Sequence, residues 1–151
     1  MPHALSAQAE TPVYWRYDAP GRIDLVEVED VDRDGIDDIM LVADGINLVL
    51  VGPDGIPKWS TPYQAQDLIQ FLLLVSIDNN PYGPFGILLG TEQHLILLDN
   101  DGNERWKRTL KDSLAQIARI KSTEGDEILV ALKNGEFLRY SGSGELLWQI
   151  E

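Results

Sequence analysis

An all-β fold of three four-stranded antiparallel propeller blades is predicted by two observations. Four tryptophans, Trp15, Trp59, Trp106 and Trp148, recur 44, 47 and 42 residues apart, and the segments between them break into short Val-, Ile- and Leu-rich runs separated by glycine turns. A period in the forties that closes each time on a short Trp-bearing strand fits a propeller blade better than any helical repeat.

The first copy reads "RIDLVEVEDV" as innermost strand, then "DIMLVAD", "NLVLVG" and an outermost "IPKWS". The second runs "LIQFLLLVSI", "GILLGT", "HLILLD" and "ERWKRTL", and the third "LAQIARIK", "EILVALK", "EFLRYS" and "LLWQI". Sustained helical periodicity is missing apart from a weak trace at 110–121. Asp44-Gly45 and Asn134-Gly135 predict two-residue hairpins with positive φ, and the next turns, "GPDG", "DNDG" and "SGSG", align across the three copies. The inner strand of the second copy is nearly all apolar, as expected where blades cover both of its faces.

Three sets of inner strands accompany four Trp-bearing strands, so the extra one, "PVYWRY", is read as an outer strand at 12–17. Residues 1–11 form a flexible lead-in and the blades span about 18–62, 63–110 and 111–151. Propellers have 4 to 8 blades, so three leave an incomplete ring. The chain is therefore expected either to self-associate as a dimer forming a six-bladed ring, with the extra strand exchanged, or to belong to a longer array.

Composition narrows the partners. With 25 acidic against 12 basic residues the formal charge is -13, which repels nucleic-acid backbones and anionic membrane surfaces. The longest apolar runs fall well short of a membrane-spanning helix. Ala7-Gln8-Ala9 resembles a signal-peptidase site but lacks the apolar stretch that must precede one. Cysteine is missing altogether, which removes disulfides and thiolate chemistry and leaves the compartment undetermined. Eight carboxylates crowd residues 22–38 against only Arg22 and Arg33, a patch suited to a metal or a basic surface.

The Trp-ended stretches "LILLDNDGNERWKRTL" and "ALKNGEFLRYSGSGELLWQI" resemble blades of the pyrroloquinoline-quinone-like propeller superfamily. "VEDVDRDGIDDIMLV" resembles the FG-GAP and VCBS repeats of integrin α-subunit propellers and bacterial surface proteins. The second resemblance implies one structural calcium ion, held by Asp30, Asp32, Asp34 and Asp38 with the Ile36 backbone carbonyl. The other copies depart from that pattern: the second keeps only Asp78 and Asn80, and the third is shortened to "KSTEGDEI". A hard cation fits such a loop, since calcium takes 6 to 8 oxygens and glycine permits the sharp turn. An EF-hand is excluded because its twelfth position would be Leu41 rather than Glu. The alternative is a solvated acidic turn whose Asp side chains cap backbone groups. Calcium binding would in turn point to an extracellular or periplasmic setting.

The remaining candidates are few. The tryptophans read as blade-to-blade packing, with sugar or quinone stacking as the alternative. His3 and His94 lack metal-ligand spacing, and the serines lack a nucleophile-elbow pattern. "DNNPYGPFG" at 78–86 combines two aromatics with two prolines and two glycines, as a recognition loop does. The sequence thus favours a non-enzymatic scaffold or binding module with a possible protein ligand over a fragment of a propeller enzyme of the quinoprotein dehydrogenase or hydrolase kind.

Overall fold

The computed structural model describes residues 14–77, 80 and 82–151. The lead-in at 1–11 lies outside the described residues. Twelve strands and no helix form among those described. They make three four-stranded antiparallel sheets in simple chain order, as predicted. Blade 1 holds β1 (Ile23–Glu29), β2 (Asp38–Ala43), β3 (Asn47–Val51) and β4 (Tyr63–Gln64). Blade 2 holds β5 (Phe71–Ser76), β6 (Phe85–Gly90), β7 (His94–Leu98) and β8 (Glu104–Thr109). Blade 3 holds β9 (Leu114–Ile120), β10 (Glu127–Leu132), β11 (Phe137–Ser141) and β12 (Leu146–Ile150).

Apolar side chains on both faces of the middle strands explain the side-by-side stacking. Met40, Val42, Leu48 and Leu50 of blade 1 form one core with Leu74, Ile87, Leu89, Ile96 and Leu98 of blade 2. The opposite face of blade 2 meets blade 3 in a second core, where Leu88, Leu95 and Leu97 pack on Leu114, Ile128, Val130 and Leu138. Each such side chain contributes about 1.5–3 kcal/mol when fully removed from water, so these two layers hold the arc together.

The weak helical trace at 110–121 gives way to β9, because Leu114 and Ile117 must face blade 2. In blade 1 the expected outer strand "IPKWS" shrinks to a single bridge, Val51 to Pro57, and the fourth strand forms later at Tyr63–Gln64. Pro57 has no N–H to give the ladder, so pairing stops there, leaving Lys58 N to donate to the Leu50 carbonyl at 2.8 Å. Residues 14–17 of the expected extra strand pair with no strand, and residues 12 and 13 lie outside the described residues. Asp44 and Gly45 do take positive φ, 49° and 71°. At Asn134-Gly135 only the glycine does, so that hairpin carries a three-residue loop ending in a left-handed glycine.

The aligned turns share one geometry and one task. Gly55, Gly102 and Gly144 take φ of 81°, 84° and 84°, each donating its N–H to the carbonyl three residues back. A tryptophan ring lies flat against each. A Cβ built on Gly55, Gly102 or Gly144 would come within 2.6, 2.9 and 2.7 Å of Trp15, Trp59 and Trp106 respectively, so only glycine fits. Trp59 and Trp106 also donate Nε1–H to the carbonyls of Asn100 and Gly142, at 2.7 and 3.1 Å. Trp59 and Trp106 therefore each lock one blade onto the turn of the next, and Trp15 lies on the turn of blade 1.

Candidate functional site: an acidic loop beside a three-blade cavity

The loop joining β1 to β2 carries the predicted cation residues, and its backbone coils around them. Arg33 and Gly35 take positive φ, 60° and 90°, which brings successive N–H groups onto the carboxylates. Asp30 accepts from Asp34 N at 3.0 Å and Gly35 N at 2.9 Å, Asp32 accepts from Asp34 N at 3.1 Å, and Asp38 accepts from Val31 N at 3.3 Å. Asp30, Asp32 and Asp38 each place a ligand oxygen within 4.8 Å of the others. Asp34 does not join them: its Oδ1 accepts from Ile36 N at 2.8 Å, and the Ile36 side chain is exposed. Of the predicted set, then, three carboxylates converge and the fourth caps the turn.

A cation that the motif did not foresee reaches this cluster. Lys58 Nζ lies 2.7 Å from Asp32 Oδ2 and 2.5 Å from Asp38 Oδ1, and Asp38 is completely buried. The ammonium beside Asp32 holds that carboxyl below the ordinary carboxylate range. Burial alone would lower the Lys58 pKa, but its bonds to Asp32 and Asp38 outweigh that and raise it. Lys58 stands 20 residues after Asp38, in a turn that the motif does not include. Its signal in the sequence was only that a lone lysine follows the first glycine turn.

The other copies keep a remnant. Asp126, immediately before β10, is buried and accepts Ser76 N from blade 2 at 2.8 Å, with Arg119 Nη1 at 3.9 Å. The short third loop "TEGDE" thus retains an acid before its second strand, but uses it to tie blade 3 to blade 2. In the second copy Asp78 lies outside the described residues, and Asn80 Oδ1 accepts Tyr82 N at 3.0 Å.

Arg33 leaves the acidic loop in the opposite direction. Its guanidinium stacks 3.9 Å from the centre of the Phe85 ring and reaches Ser76 Oγ at 3.2 Å, while Arg119 lies 5.5 Å from the same ring. A cavity of about 300 Å³ opens there, lined by Arg33, Ser76, Phe85, Arg119, Lys121 and Asp126. All three blades contribute to it. Tyr82, in the loop predicted for recognition, is 89% exposed. His94 sits part-buried at the head of β7, with Nδ1 3.3 Å from Asp67.

No family model and no curated protein sequence matches the chain. Among solved structures it is similar to two crystal structures of BBS1N in complex with ARL6DN, one soaked with mercury and one with lead. The TM-scores are 0.67 and 0.62, the identity is 17% in both, and 83% of this chain is covered. The chain spans 38% and 39% of those chains, well under half their length. At that identity the likeness concerns the fold, and together with three stacked four-stranded sheets it identifies the chain as an incomplete ring of β-propeller blades.

Proposed function

We propose that the chain is a non-enzymatic β-propeller module that binds a protein partner at the loop end of its blades. The observation that carries this reading is the cavity to which all three blades contribute, where two guanidiniums flank Phe85. Arginine and aromatic side chains are the residues enriched among interface hot spots, and here they are held in place by a rigid scaffold. The likeness to BBS1N, crystallised with ARL6DN, supports a binding role for such a scaffold. The test is affinity capture with the wild-type chain and with an Arg33→Glu/Arg119→Glu variant that folds equally well. A partner retained by the first and lost by the second is the expected result; identical captured sets would overturn the reading.

The acidic loop serves as a staple beside this surface. Three converging carboxylates suit a calcium-type ion, provided Lys58 swings away from Asp32 and Asp38 to admit it. Lys58 is then a tethered competitor, and calcium binding to the wild type is weak. Calorimetric titration with calcium should give a tighter complex for Lys58→Gln than for the wild type. If neither protein responds to millimolar calcium, in heat or in melting temperature, the loop takes no metal. The ring is completed by further blades, in a longer array or by association.

A further inference from the structure

The tryptophans outnumber their seats. Gly55, Gly102 and Gly144 carry Trp15, Trp59 and Trp106, and Trp148 has no glycine turn among the described residues. Its place in the fold is nonetheless that of Trp106. In blade 2 the row Leu88, Leu97, Trp106 crosses β6, β7 and β8, and in blade 3 the row Leu129, Arg139, Trp148 crosses β10, β11 and β12 at the same register. Blade 3 covers the first row, leaving Leu88 and Leu97 with essentially no exposure. Over the second lies an open face on which β12 is exposed along its whole length and Arg139 stands 5.9 Å from the Trp148 ring.

We propose that this face receives a further blade of the same ring. The incoming blade must present, between its third and fourth strands, a glycine at positive φ to lie under Trp148. Two residues before that glycine it must offer a carbonyl for the Trp148 Nε1–H. The geometry repeats the two junctions already in the molecule. The occupant is not the first blade of a second copy, because that blade's seat is filled: Trp15 lies on Gly55, and Tyr17 packs on the face made by Leu41, Val49 and Val51. A ring of two copies would bring eight tryptophans to six glycine seats, whereas a following blade supplies the fourth seat that the four tryptophans of this chain need. The inference rests on the propeller fold and not on the partner surface, so the loss of either leaves the other standing.

The test appends a duplicate of residues 111–151 after Glu151 of the full chain. Trp148 emission, isolated by subtracting the matching Trp148→Phe protein, should shift to the blue and resist acrylamide quenching. Replacing the duplicate's glycine equivalent to Gly144 by alanine should abolish both effects. Unchanged quenching in a folded extended chain would overturn the proposal. Sedimentation decides independently of whether the extension folds. The 151-residue chain should remain at 16.9 kDa, and Trp15→Ala, which vacates Gly55, should dimerise in a manner that Trp148→Ala abolishes. A wild-type dimer that needs Trp148, or a Trp15→Ala chain that stays monomeric, would overturn it.

Discussion

At one end of the arc Trp15 and Tyr17 fold back over blade 1, and at the other Trp148 and Ile150 lie open along β12. The two terminal tryptophans are almost equally exposed, 39% and 36%, for opposite reasons. Trp15 has a glycine seat but no strand of its own to carry it; Trp148 has its strand but no seat. The comparison teaches that a blade face is made by two separate contributions, a ring from one blade and a turn from the next. At the N-terminal end the ring and the turn meet without a strand behind the ring, and at the C-terminal end the ring has its strand but no turn. Between the ends, where both are present, Trp59 falls to 9% exposure and the flanking leucines are fully buried.

The largest expected effect comes from breaking an internal junction and then an open one. Trp106→Ala should destabilise the fold by about 3–5 kcal/mol, as large aromatic truncations in cores do, and Trp148→Ala by less than about 1 kcal/mol. Urea melts of the two variants check this; equal losses would mean that Trp148 is already seated. Glycine substitutions sharpen the same comparison. Gly102→Ala forces a Cβ against Trp59 at φ of 84°, whereas Gly135→Ala, at φ of 96°, meets nothing within 4 Å. Both carry a backbone strain of roughly 1–3 kcal/mol, so any excess at Gly102 measures the ring contact by itself.

The remaining prediction concerns the acidic loop and its pH dependence. Asp32 titrates below its ordinary value when folded, so its contribution is fully present above pH of about 4 and is lost as pH falls through the folded pKa. Lys58 titrates above its ordinary value, so its contribution holds below pH of about 10 and is lost as pH rises through the folded pKa. Lys58→Met should therefore be less stable than the wild type at neutral pH, by roughly 1–3 kcal/mol. The gap should narrow below pH of about 4. A gap that is the same at pH 3 and pH 7 would show that the ion pair contributes nothing.

Much of the architecture was legible because it rests on local pattern. Alternating runs of Val, Ile and Leu, glycines at turn positions and a tryptophan period in the forties each act within a blade, and the strands formed nearly where they fell. Strand pairing departs from the pattern at two places. Pro57 interrupts the first outer strand, and residues 14–17 would need the inner strands of a blade before β1 to pair with. At the acidic loop the spacing of Asp30, Asp32 and Asp38 announced their convergence. Asp34 instead accepts the Ile36 N–H at 2.8 Å.

By itself the sequence determined the blade: its four strands, its turns, and the acids that a short loop must crowd together. Those features depend on residue type and spacing over a few positions. Only the tertiary structure decided what the tryptophans rest on, that Lys58 enters the carboxylate cluster, and that Arg33 and Arg119 both approach Phe85. These contacts join residues 20 to more than 80 positions apart, and no local pattern encodes them. They exist because stacked apolar faces bring separate turns together.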